Sequence, residues 1–136
     1  EKKQGFFRKD VIVRKIVGIV LWQEGLKDST VDTGKAREDY QKIAEIYGIE
    51  KFAEMKNTEE RVFESEVYYA GHKRMQQELA ELFRNLEREL LEEKFSKIMT
   101  EISQAEKLGE GDKADELLKK CQEISKKINE IKNKAV

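Results

Sequence analysis

The sequence predicts an all-α protein: a small helical bundle followed by a long connecting helix and a C-terminal antiparallel helical hairpin. Three observations predict it. Of the 136 residues, 40% are charged, 38% are hydrophobic and none is proline, a composition that favours helices with much solvated surface. Two C-terminal runs carry apolar residues at steps of three and four, which is one stripe along an α-helix. Only Leu108-Gly109-Glu110-Gly111-Asp112 separates them, and so short a break makes the two helices antiparallel neighbours.

The elements follow in order. Residues 1–7 are expected to be a loose N-terminal arm. A first helix is expected from about Arg8 to Gln23. Its second half, Ile16-Val17-Gly18-Ile19-Val20-Leu21-Trp22, has almost no polar face and so belongs in the middle of a bundle. Gly18 within it allows close helix approach, although glycine costs about 1 kcal/mol in helix propensity. Asp32 or Thr33 caps the next helix, about Thr33 to Tyr47, with Ala36, Tyr40, Ile43, Ala44 and Tyr47 inward and Gly48 at the position of a C-terminal glycine. Ile49 to Met55 is a short apolar helix or turn. Asn57 with Glu60 three residues on predicts a capping box. The helix it opens is expected to run to about Ala70, with Val62, Phe63, Val67 and Tyr68 inward and Gly71 at its end.

The long helix runs from about Lys73 to Leu108. Its stripe is Leu79, Leu82, Phe83, Leu86, Leu90, Leu91, Phe95, Ile98, Met99, Ile102, Ala105 and Leu108. The last helix opens at Asp112 and carries Ala114, Leu117, Leu118, Cys121, Ile124, Ile128 and Ile131. Residues 8–85 are therefore expected to form the bundle subdomain and residues 86–136 the hairpin subdomain.

Charge and chemistry exclude several classes of function. The net charge is -1. Both halves are balanced, with 13 bases and 14 acids in residues 1–72 and 14 of each in residues 73–136. A dedicated nucleic-acid binder carries a clear positive excess, so no strong direct nucleic-acid binding is expected. The longest apolar run is too short to span a bilayer, and no signal peptide is visible, which predicts a cytoplasmic protein without membrane contact. The only cysteine, Cys121, excludes an internal disulfide and falls on the apolar stripe. His72 has no second histidine or nearby cysteine for zinc. The carboxylates sit in mixed runs such as Glu87-Arg88-Glu89, typical of helix-surface ion pairs. No Lys-Ser/Thr follows Gly109 and Gly111, so they are a turn and not a phosphate loop. No catalytic residue, no metal site and no cofactor is expected. A chain beginning at Glu1 with no chemistry reads as a piece of a larger protein.

The functional residues are then sought on the hairpin, since two helices alone bury little and a projecting pair is completed by a partner. Leu118, Ile124, Ile128 and Ile131 are the apolar contact candidates, with Lys120, Lys127, Glu130 and Lys134 as rim charges. Phe6 and Phe7, beside Lys9 and Lys15, are candidates for holding an acidic peptide, against the simpler reading that they staple the first helix.

Leu82-Phe83-Arg84-Asn85-Leu86-Glu87, the turn Ala105-Glu106-Lys107-Leu108-Gly109-Glu110 and the helix Leu117-Leu118-Lys119-Lys120-Cys121-Gln122-Glu123-Ile124-Ser125 resemble the carboxy-terminal end of bacterial DNA primase. That family ends in a long helix, a turn of the form AE-x-x-G-(D/E) and a helix of the form LL-x-x-x-Q-x-(L/I)-x. The likeness covers about residues 65–136 and weakens over 8–64. It is carried by helix-forming letters and not by a catalytic signature. Lys15 to Gln23 is similar to the helix opening this domain in some primases.

The resemblance implies the helicase-binding domain, a bundle followed by a hairpin. In that family the hairpin attaches primase to the N-terminal collar of the replicative helicase at the replication fork, and the bundle modulates helicase activity. Primer synthesis by the parent polymerase would lie in other domains. It also implies, for some members, a basic and apolar pocket that takes the acidic tail of single-stranded DNA-binding protein, for which Phe6, Phe7, Lys9 and Lys15 are the candidates here. Three other readings stay open: the similar N-terminal domain of the replicative helicase, a structural coiled-coil adaptor, and a nucleic-acid-binding helical domain.

Overall fold

In the computed structural model the chain is all-helical. The structure describes the backbone of residues 2–134 and the side chains of residues 8–133. Five α-helices follow one another: α1 (Lys2–Glu24), α2 (Thr33–Tyr47), α3 (Thr58–Tyr69), α4 (Met75–Lys107) and α5 (Gly111–Lys134), with a single 3-10 turn at Phe52–Glu54. The N-terminal residues differ from expectation. The backbone from Lys2 is already helical and continuous with α1, and residues 2–7 carry no proline to break it.

The chain divides into two compact units, Glu1–Leu86 and Glu87–Val136. In the first, Ile16, Val17, Ile19, Val20, Tyr40, Met75, Leu79 and Leu86 are almost wholly buried. Five consecutive buried residues of α1, Ile16 to Val20, mean that this helix is covered on several sides, as its lack of a polar face requires. The tightest approach is to α3. A Cβ at Gly18 would stand 2.3 Å from Ser65 Oγ and 2.6 Å from the Arg61 carbonyl oxygen. Glycine on one helix and buried serine on the other let the two backbones meet. Across the same pair the Arg14 guanidinium donates to both oxygens of Glu64, at 2.7 and 2.9 Å.

The connections are held by side chains. Gln23, buried near the end of α1, accepts through Oε1 from Ser29 Oγ (2.9 Å) and from the Thr30 amide (3.3 Å). Asp32 caps α2 by accepting from the Lys35 amide at 3.1 Å. Its own amide donates to Gln76 Oε1 at 3.0 Å. Gly48, at φ +70, closes α2 with an N–H bond to the Ala44 carbonyl. Tyr40 donates from its hydroxyl to the Glu50 carbonyl at 2.6 Å and meets Phe52 edge-on at 5.0 Å. Arg37 lies over Phe52 and is paired with Glu24.

Two expectations for α3 are corrected. Asn57 makes no side-chain cap bond; it sits in the left-handed region at φ +58, so the capping box does not form. The inward face is Ser65 and Tyr69, with Arg61 and Val62 half-buried. Phe63, Val67 and Tyr68 are 64%, 64% and 73% exposed. The contact at Gly18 is what turns the helix: the small side chain of Ser65 fits beneath it, where Phe63 or Val67 would not.

The second unit contains the hairpin. Gly109, at φ +74, follows the end of α4. Its amide donates to the Glu106 carbonyl (3.1 Å) and the Glu110 amide to the Ala105 carbonyl (2.9 Å), the paired closure of a Schellman turn. The Glu110 carbonyl then accepts from the Ala114 amide at 3.0 Å. Thus α5 starts one residue before the expected Asp112, which lies in its first turn and favours the helix dipole there.

Candidate protein-interaction site

In the hairpin, Ala114, Leu117, Cys121, Ile124 and Ile128 of α5 are buried, as are Leu91, Ile98 and Ala105 of α4. Their spacing alternates three and four on α5 and is seven on α4, the seam of an antiparallel helix pair. Cys121 Sγ lies 3.5 Å from Met99 Sδ across this seam. Of the sequence-derived contact candidates, Ile124 and Ile128 thus lie in the seam, with 6% and 9% of their surface open. Ile131 is half-buried, and Lys120, Lys127 and Glu130 are exposed. Leu118, 48% exposed, is the apolar candidate that faces outward, and Met99 of α4, 46% exposed, is its counterpart. The side chain of Lys134 lies outside the described residues.

The first unit holds a second surface that sequence reasoning missed. A cleft of about 400 Å³ runs between α1 and α3, with Val11, Phe63, Val67 and Tyr68 as its apolar walls. Lys15 reaches over the Tyr68 ring, 5.6 Å from its centre. Arg14, Arg61 and Glu64 also line it. The Glu64 carboxyl is held below the ordinary range, first by its bonds from Arg14, so it stays ionised and paired. Tyr69 forms the floor. Its hydroxyl is buried without a hydrogen-bond partner, and burial pushes its pKa up to about 12.

Of the acidic-peptide candidates, Lys15 stands on this cleft, while Lys9 lines an adjoining one of about 450 Å³ that shares Val11, Arg14 and Arg61 with it. Six residues of helix set the two lysines about 120° apart around α1. The side chains of Phe6 and Phe7 lie outside the described residues. The signal that would have exposed the cleft was Gly18: a close helix crossing there orients α3 and leaves Phe63 and Val67 outside.

His72 accepts from the Arg74 amide at Nδ1 (3.2 Å), ahead of α4. Among the described residues no group of three His, Cys, Asp or Glu side chains could hold a metal ion, and no helix is long and apolar enough to cross a membrane. The chain matches no protein-family model, no curated protein and no solved structure.

Proposed function

We propose that this chain is a helicase-binding domain from the carboxy-terminal end of a bacterial DNA primase, a non-catalytic module that recruits primase to the replicative helicase and modulates it. The observation that carries this reading is the terminal hairpin, whose turn and last helix resemble that family and whose outer surface keeps Leu118 and Met99 exposed after its seam is filled. Apolar side chains left open on a helix pair are anchors for a further helix. The primer-forming chemistry would belong to other domains of the parent enzyme, and no cofactor is assigned to this one.

The test is binding to the replicative helicase of the same organism, with the whole chain and with a version ending after Leu108. Loss of binding by the shortened chain, with α1 to α3 still folded by circular dichroism, is the expected result. Unchanged affinity overturns the role given to the hairpin. A helicase N-terminal domain would instead be followed in its gene by a helicase motor. A structural coiled-coil adaptor would form a stable homodimer by light scattering and ignore the helicase.

The cleft between α1 and α3 favours a second contact, with the acidic tail of single-stranded DNA-binding protein. Its apolar walls would take the tail's apolar end, and Lys15 and Arg61 its carboxylates. Tyr68→Ala and Lys15→Glu should each weaken binding of such a peptide by about tenfold. Equal binding by both variants would remove this contact.

A further inference from the structure

The two flanks of the hairpin differ in charge. On α4, Ser96, Met99 and Ser103 recur at steps of three and four, on one side of the buried seam; on α5, Leu118, Gln122, Ser125 and Asn129 do the same. In an antiparallel pair these two edges fall on the same side, and the approach of Met99 to Cys121 agrees with it. None of the seven is charged, in a chain of which 40% is charged, and all but the half-buried Ser125 are exposed. The opposite flank of α5 reads Lys113, Glu116, Lys120, Glu123, Lys127 and Glu130, charged at every one of these exposed positions. Toward the turn the uncharged strip ends on two exposed carboxylates, Glu106 and Asp115.

Charge depletion with exposed apolar residues at the centre is the signature of a patch that becomes the core of an interface. Alternating charge is that of a flank that remains in water. We infer that the partner docks as one helix along the uncharged flank of the hairpin, seated over Met99 and Leu118. That helix is uncharged along its centre and carries a basic residue where it passes Glu106 and Asp115. Lys120, Lys127 and Glu130 lie on the far side and do not carry the contact. The inference rests on the reading of the chain as a helicase-binding domain, and it names the face that this binding uses.

The experiment is titration of the full chain with the replicative helicase of the same organism, followed by calorimetry. Leu118→Glu places an unpaired charge at the centre of the strip. It should weaken binding at least about tenfold. Ser103→Glu and Gln122→Glu repeat the test at exposed positions that pack nothing, so a fall in affinity there cannot come from loss of fold. Glu116→Lys and Glu123→Lys, on the charged flank, should bind within about twofold of the parent chain. Glu106→Lys with Asp115→Lys should weaken binding and reverse its salt dependence. If the parent chain binds and Ser103→Glu and Gln122→Glu bind equally well, or the charged-flank variants lose affinity, the assigned face is wrong while the function stands. If the parent chain does not bind, both fall. Sedimentation of the chain alone is the remaining arm: a homodimer broken by Leu118→Glu would show that the strip serves a second copy of this chain, and would overturn the partner assigned.

Discussion

Gly18 is the residue on which the first unit turns. Its missing Cβ is the space that the Arg61 carbonyl and the Ser65 hydroxyl occupy. Gly18→Ala should therefore destabilise the protein by about 1–3 kcal/mol in chemical denaturation, despite alanine's better helix propensity. Adding Ser65→Ala should restore only part of this, because the backbone carbonyl at 2.6 Å remains in the way. Full rescue would show that the serine alone sets the spacing.

The two buried tyrosines separate a hydrogen bond from burial. Tyr40→Phe loses the bond to the Glu50 carbonyl and should cost about 1 kcal/mol. Tyr69→Phe removes a hydroxyl that has no partner, and its unfolding free energy should equal or exceed the parent's. Burial raises both pKa values from 10.0 to about 12. Between those values the folded state keeps protons that the unfolded chain has lost, so stability is whole below pH 10 and falls as pH rises toward 12. Urea melts from pH 9 to 12 should show this fall, and each Phe variant should flatten it.

At the scale of the element, periodicity located the helices well. The limits of α2 match the stripe and its punctuation by Asp32 and Gly48, because a capping carboxylate and a left-handed glycine are local signals. The hairpin turn was equally legible, since Gly109 must take a positive φ to close α4. Gly109→Ala should cost about 1 kcal/mol in thermal or chemical unfolding for that reason. The orientation of α3 was not legible. Val62, Phe63, Val67 and Tyr68 form a stripe as plausible as Arg61, Ser65 and Tyr69 until the neighbouring helix is known. Substituting Phe63 by Ser should accordingly change stability by less than about 0.5 kcal/mol, where a core phenylalanine would cost several times that. A large loss would place Phe63 in the core after all.

For the whole molecule, balanced charge and an exposed apolar cleft and strip are what support the proposal of protein partners. Fluorescence anisotropy with single- or double-stranded DNA should find no submicromolar complex at physiological salt, because near-zero net charge releases few counterions. The sequence by itself determined that the chain is helical, where most helices begin and end, and that its last two form a hairpin. These are consequences of local propensity, capping chemistry and turn geometry. The tertiary structure decided which apolar residues are spent and which remain open. Ile124 and Ile128 disappear into the seam while Leu118 and Met99 stay outside, and Ser65 rather than Phe63 meets α1. A stripe on one helix is a statement about that helix alone. Its burial depends on how closely a second backbone comes, and that distance is set by side chains far away in the sequence.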